Sequence, residues 1–353
     1  MAKLKAFKTF PRLYLPPWTG YLWGIACMLV AGIACTSGEP PVVFTSDRDD
    51  NLEIYAVYVD GGSELNITQS ATNEFEPIVS PDRKWIAFLS RSGSKENVTN
   101  VTLEVIGRNG VSRQRITDVP GAHSSHRWSP DSRRIAYALN SQGNKSVHVG
   151  NIEGAKPILL TALEAQEVGG WSPSGKEVVF AVKNLEEQGI WSRNPDGVNE
   201  FQLSTDVDSS PRWSPDGDRI AFISLRDGNH EIYVMNWDGS GATRLTNNEA
   251  KDHTISWSPD SKSLVFVSEQ DGNPEIYTVE VYSGEITRLT FNEIRDGQPV
   301  WSPSGTRIAF VSHVPDKMKS QQDGDAEIFV MDVDGGNQIR LTNNEFEDIN
   351  PSW

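Results

Sequence analysis

The sequence predicts an all-β protein, a seven-bladed β-propeller of four-stranded antiparallel blades over residues 42–353, with the ring closed by the C-terminal strand pairing into the first blade. Three observations carry this. A Trp-Ser-Pro string recurs at Trp128, Trp171, Trp213, Trp257 and Trp301, and Val79-Ser80-Pro81-Asp82 and Pro351-Ser352-Trp353 extend it to seven anchors spaced 49, 43, 42, 44, 44 and 52 residues apart. A second string, such as Arg219-Ile220-Ala221-Phe222 or Arg307-Ile308-Ala309-Phe310, follows each of the first six anchors within a few residues. A third, such as Glu231-Ile232-Tyr233-Val234, and a fourth, such as Thr243-Arg244-Leu245-Thr246, complete each unit.

The first element is an address. Residues 1–18 carry Lys3, Lys5, Lys8 and Arg12 and no acid, and a mostly apolar stretch runs from Thr19 to Ala34. At about 16 residues that stretch is short of the ~20 a membrane span needs, and the order of charge, apolar run and small residues reads as an export signal. Cys35, directly after Gly32-Ile33-Ala34, resembles the cysteine of a bacterial lipobox. The resemblance implies a lipidated Cys35 at the mature N-terminus. An uncleaved anchor helix and a cleaved soluble signal are the other two readings. All three place residues 36–353 outside the cytoplasm, with 36–41 as a linker, and any membrane contact comes through the N-terminal segment.

Each repeat then reads as four strands, A to D. The strings are short β-rich runs bounded by turn residues. Between A and B stands Ser-Pro-Asp-Gly or a variant, where Pro presets φ and Gly accepts the left-handed position. Between C and D stands Asp238-Gly239-Ser240-Gly241 or a relative such as Asp334-Gly335-Gly336, the chemistry of a tight hairpin. A unit of about 44 residues cannot bury both faces of its sheet alone, so units must stack, and radial closure follows. The ends fix the count. Val42-Val43-Phe44, Glu53-Ile54-Tyr55 and Leu65-Asn66-Ile67-Thr68 supply B, C and D with no A before them, and Asn350-Pro351-Ser352-Trp353 supplies an A with no B after it. Together they make one blade and leave no unpaired inner edge. The anchors Trp128, Trp171, Trp213, Trp257, Trp301 and Trp353 are expected as large contacts between blades.

These strings resemble the TolB-type propeller repeat, most closely in Trp213-Ser214-Pro215-Asp216-Gly217, Ile220-Ala221-Phe222, Glu231-Ile232-Tyr233-Val234-Met235-Asn236, Asp238-Gly239-Ser240-Gly241 and Leu245-Thr246-Asn247-Asn248. The resemblance spans residues 42–353, and the second to fourth blades diverge most. TolB itself carries an α/β domain before a six-bladed ring, whereas here six residues separate Cys35 from the first strand and the count is seven. Similar rings front the prolyl-oligopeptidase-type peptidases. The oligogalacturonate lyases, also seven-bladed, place a His-rich metal site in the channel.

Composition narrows the function. The chain has 353 residues, 32 Lys+Arg against 48 Asp+Glu and a net charge of −16, which argues against a nucleic-acid partner. Cys27 and Cys35 are its two cysteines, both near the N-terminus, which excludes a disulfide framework or a thiolate zinc site in the ring. No phosphate-cradling glycine loop and no nucleophile elbow occur. Five residues before the anchors stand Glu74, His123, Gln166, Asp208, Asp252, Asp296 and Asp348. In D–A loops, the carboxylates Glu74, Asp208, Asp252, Asp296 and Asp348 would ring one channel mouth and make it acidic. There they would suit a cation such as Ca²⁺ or a basic partner group, or else bond their own loops. Asp227-Gly228-Asn229 and Asp271-Gly272-Asn273 read as hairpin turns. Glu53, Glu231, Glu275 and Glu327 open strand C in four blades, in a structural role. Among the histidines, His123, His126 and His253 are the ones a channel metal site would use. Recognition is expected on the B–C and D–A face, where the insertions at 90–100 and 313–326 lie. The reading is a non-catalytic, envelope-associated platform for a protein, peptide or glycan, without a cofactor. A channel-based glycan lyase or hydrolase is the alternative.

Overall fold

The computed structural model describes residues 38–92, 101–117, 121–184, 186–315 and 324–353. Cys35 and most of the insertions at 90–100 and 313–326 lie outside these residues, as does the side chain of Gln166. The described chain forms seven four-stranded antiparallel sheets, each ordered A-B-C-D. Blade 5 is typical, with A at Asp208–Trp213, B at Arg219–Ser224, C at Glu231–Asn236 and D at Thr243–Arg244. The other A strands are Asn73–Val79 in blade 2, Ala122–Trp128 in blade 3, Ala165–Trp171 in blade 4, Asp252–Trp257 in blade 6, Asp296–Trp301 in blade 7 and Asp348–Ser352 in blade 1. Neighbouring A strands meet around the ring and line its channel. The last of them closes the circle on strand B of blade 1, with Val43 opposite Ser352, Thr45 opposite Ile349 and Ser46 opposite Asp348.

The B strings are apolar after their first residue because strand B is covered on both faces. Strand periodicity sends alternate side chains to opposite neighbours. Ala221 and Ile223 pack with Ile232 and Val234 on Ile255, Trp257, Leu264 and Phe266 of blade 6. Ile220 and Phe222 face the other way, onto Val179 and Ile190 of blade 4. Across B and C, Phe222 pairs with Tyr233 at 5.6 Å, Phe266 with Tyr277 at 5.7 Å and Phe310 with Phe329 at 5.6 Å between ring centroids. Emptying one such fully buried ring costs about 3–5 kcal/mol.

Five of the anchor tryptophans also hydrogen-bond, the first four of them across a blade boundary. The indole N–H of Trp128 donates to the Ile78 carbonyl at 2.9 Å, that of Trp171 to Arg127 at 3.0 Å, that of Trp257 to Arg212 at 3.0 Å and that of Trp301 to Ser256 at 3.2 Å. Each acceptor is on strand A of the preceding blade. Trp353 reaches the Pro40 carbonyl at 2.7 Å. The A–B turns work as their chemistry requires. The Ser214 hydroxyl donates to Asp216 at 2.5 Å and accepts from the Arg219 N–H at 3.0 Å, and Gly217 sits at φ +82°. Ser132 and Ser261 hold that same left-handed position in blades 3 and 6. Their hydroxyls accept from the Asp82 and Asp216 N–H groups of the neighbouring turns, each at 3.0 Å, which offsets the strain.

Candidate functional site: the channel and its mouth

The residues five before each anchor begin strand A and do not lie in the loop before it. Glu74 pairs with Ser90, Asp208 with Ser224, Asp252 with Ser268, Asp296 with Ser312 and Asp348 with Ser46 of strand B. Their side chains therefore turn into the blades, and all five are buried to 1% exposure or less. Asp208 accepts from Arg226 at 2.9 Å, and Asp348 from Arg48 at 2.8 Å and Asn344 at 2.8 Å. Asp252 accepts from Asn248 at 2.8 Å, Asp296 from Asn292 at 2.7 Å and Ser312 at 2.5 Å, and Glu74 from Ser70 at 2.8 Å and Arg113 at 2.9 Å. Burial pushes the carboxyls of Asp252 and Asp296 above the ordinary range. The expected acidic ring is thus distributed among separate blades by period-2 alternation.

The glutamates that open strand C build the loops of this face. Glu231 is fully buried and accepts from the Thr246 hydroxyl at 2.6 Å, the Asn248 N–H at 3.1 Å, Asn229 at 2.8 Å and Arg244 at 2.8 Å. Glu275 repeats the set, and Glu327 repeats the threonine, backbone N–H and arginine bonds, with Asp325 standing where the other two blades have asparagine. One carboxylate so ties the B–C turn to the D–A loop, and the mouth is held rigid. The Asp-Gly-Asn segments are turns, with Asp227 and Asp271 accepting from Tyr233 and Tyr277.

The mouth is lined by the residues flanking those carboxylates. Lys251 and Arg295 are exposed just before strand A of blades 6 and 7, and Glu347 takes that place in blade 1. His253 follows Asp252 and lies 3.7 Å from Glu269. Burial holds His253 and His230 below the usual histidine range, and Lys251 adds to both.

Deeper in, the wall is shaped by a bulge. Three residues before the anchor, Glu76, Ser125, Ser210, Thr254, Gln298 and Asn350 adopt φ between +40° and +57°, and the A–B register slips there in each of their blades. Bulge residues stitch blades together: the Ser210 N–H and hydroxyl donate to Glu167 at 3.1 and 3.0 Å, and the Asn350 N–H to Gln298 at 2.6 Å. The wall has two halves. Blades 6, 7 and 1 offer Thr254, Ser256, Gln298, Val300, Asn350 and Ser352. Blades 2 to 5 offer Glu76, Arg127, Glu167 and Arg212. Arg212 donates to Glu167 at 3.2 Å and to the Pro211 carbonyl at 2.9 Å. Among the described residues Arg127 makes one hydrogen bond, to the His126 carbonyl at 2.8 Å. Burial first and Arg212 second pull the Arg127 guanidinium down to about 9. Burial raises the Glu167 carboxyl, but Arg212, Arg127 and Ser210 outweigh it and leave it below the usual range. Desolvation raises Glu76 against the pull of Arg127.

The sequence reading missed this charged half because no single string announces it. It is spread over three positions relative to the anchors, in the three divergent blades 2 to 4 and in the regular blade 5. A position-by-position comparison of the A strands would have shown it. The histidines do not converge. His123 bonds Thr117, just past strand D of blade 2, at 3.1 Å, His126 is 1% exposed, and His253 is at the mouth. Among the described residues, no group of three or more His, Cys, Asp or Glu side chains comes together in a way that could hold a metal ion.

Seven repeated blades around a polar channel, turned on Ser-Pro-Asp-Gly, define a repeat β-propeller. The family model described as the TolB beta propeller domain matches residues 37–207 and 204–319, and the chain belongs to that family. A protein TolB homolog of Chlorobium luteolum is 28% identical over 205 residues, 58% of this chain and 35% of that relative, so the match spans about a third of the relative's length. The solved TolB of Acinetobacter baumannii is 18% identical with a TM-score of 0.59, over 86% of this chain and 78% of that one. An oligogalacturonate lyase from Vibrio parahaemolyticus is 15% identical with a TM-score of 0.65, over 83% and 86%. At such identities the two structures speak to fold alone.

Proposed function

We propose that this chain is an exported, envelope-associated propeller, tethered through residues 1–35 by lipid on Cys35, and that it binds a protein, peptide or glycan without catalysing a reaction. The ligand enters from the B–C and D–A face. The observation that carries the reading is Arg127: a guanidinium on the channel wall that makes one hydrogen bond among the described residues, beside an exposed Glu76 and below a mouth bearing Lys251 and Arg295. Such a group is preorganised for an incoming carboxylate or carbonyl. The pinned loops around it give a recognition surface that loses little entropy on binding. The resemblance to TolB supports an envelope partner.

The test is a cross-linking capture from envelope extract, comparing the protein with a variant carrying Arg127→Gln, Lys251→Ala and Arg295→Ala. We expect one partner to be held by the first and lost by the second at an unchanged melting temperature. Equal capture by both would remove the channel from the account. The second reading, a glycan lyase, draws on Arg127 and Arg212, because anionic sugars need cations in the channel. Release of unsaturated uronate products from polygalacturonate would establish it instead.

A further inference from the structure

The chain enters the ring on the face opposite the mouth. The Trp353 indole donates to the Pro40 carbonyl at 2.7 Å, Arg108 of the blade 2 C–D turn donates to the Pro41 carbonyl at 2.8 Å, and Ser304 of the blade 7 A–B turn donates to Glu39. Glu39 to Pro41 is therefore clamped to the A–B and C–D face. Four residue steps, across the three residues 36–38, separate Cys35 from Glu39. Fully extended, they span at most about 14 Å. A lipid on Cys35 thus brings this face close to the membrane surface.

The same face carries large exposed side chains on the C–D turns of neighbouring blades. Tyr58 in blade 1 is 43% exposed, Trp237 in blade 5 is 54%, Tyr282 in blade 6 is 66% and Val333 in blade 7 is 38%. They form an arc over blades 5, 6, 7 and 1, beside the point where the chain enters. Arg219 of blade 5 stacks on the Tyr282 ring at 4.7 Å. Tyr and Trp are the residues that settle at the boundary between headgroups and acyl chains. The cations of the A–B turns, Arg83, Lys84, Arg133, Lys176 and Lys262, are interleaved with Asp131, Asp216, Asp238 and Asp260. Charge on this face is mixed, so aromatic insertion and the tether supply the attraction.

We infer that the A–B and C–D face rests on the membrane through Tyr58, Trp237 and Tyr282, and that the channel mouth with Lys251, Arg295 and Arg127 beneath it opens away from the bilayer. The inference rests on the proposed tether at residues 1–35. Its consequence is directional: a ligand approaches from the aqueous side.

The experiment uses the full chain, matured by its host and reconstituted into phosphatidylethanolamine–phosphatidylglycerol vesicles. One protein carries an environment-sensitive fluorescent amino acid at Tyr282, a second at Glu249, an exposed residue on the mouth face. Flotation with the vesicles reads the tether, and quenching by brominated lipid reads the orientation. We expect both proteins to float, the label at 282 to shift blue and be quenched several-fold more than the label at 249, and high salt to leave this difference in place. Flotation with equal quenching, or stronger quenching at 249, overturns the orientation and leaves the tether standing. Failure to float overturns the tether and the orientation with it.

Discussion

Side chains that look equivalent in the repeat do different work. Trp213 occupies the same place as Trp257, yet its indole nitrogen is buried without a hydrogen-bond partner while that of Trp257 donates across the blade boundary. Replacing each by Phe removes similar packing, but only the second loses a hydrogen bond. Urea unfolding should find Trp257→Phe less stable than Trp213→Phe by about 1 kcal/mol. His126 gives a second test. In blade 6 the corresponding position is Ile255, and burial pulls the His126 imidazole down to about 3. A base whose folded pKa lies below its unfolded value of 6.5 stabilises the fold fully above 6.5 and loses that contribution as pH falls toward 3. The loss is at most about 1.4 kcal/mol per pH unit. His126→Ile should therefore gain on the natural protein progressively below pH 6.5, and a pH-independent difference between the two would show that this imidazole is not the acid-sensitive group.

The repeat strings gave strand identity, strand order and turn chemistry directly, because Ile220-Ala221-Phe222 and Ser214-Pro215-Asp216-Gly217 each permit few conformations. Side-chain direction at the start of strand A was not legible. Asp252 and Asp296 were expected at the open rim, and one residue of register decides between rim and blade interior. Pairing with Ser268 and Ser312 turned them inward, and Lys251, His253 and Arg295 took the mouth. Nor did any string mark the bulge that presents Glu76 and Ser210 to the channel, since Glu, Ser, Thr, Gln and Asn all occupy it. The inward direction has a consequence for metal binding. With the oxygens of Asp296 taken by Asn292 and Ser312, millimolar Ca²⁺ should leave the melting temperature unmoved. A rise that disappears in the protein with both Asp252→Ala and Asp296→Ala would instead place a cation at these carboxylates.

For the whole molecule, closure and asymmetry are the two properties that matter. Strand A of blade 1 comes from the far end of the sequence, and Asp348 within it is bonded to Arg48. Removing residues 347–353 opens the ring at an inner edge and exposes the strand B of blade 1 to other chains. Thermal unfolding of that truncation should show a sharply lower melting temperature with aggregation, and an unchanged curve would contradict closure by this strand. The asymmetry is functional in the present account. One half of the channel is charged, the other is neutral, and the ring's two faces differ in their loops and in the aromatics they expose, Tyr58, Trp237 and Tyr282 on one and Phe291 and Phe346 on the other. On the proposed function, recognition takes place in the channel and at its mouth. Photo-cross-linking in intact envelopes tests it most directly, with the reactive amino acid placed at Ser124 beside Arg127, at Glu249 on the mouth face, and at Tyr282 on the opposite face. The account predicts a partner adduct from Ser124 and Glu249 and none from Tyr282. A partner adduct from Tyr282 alone would contradict it.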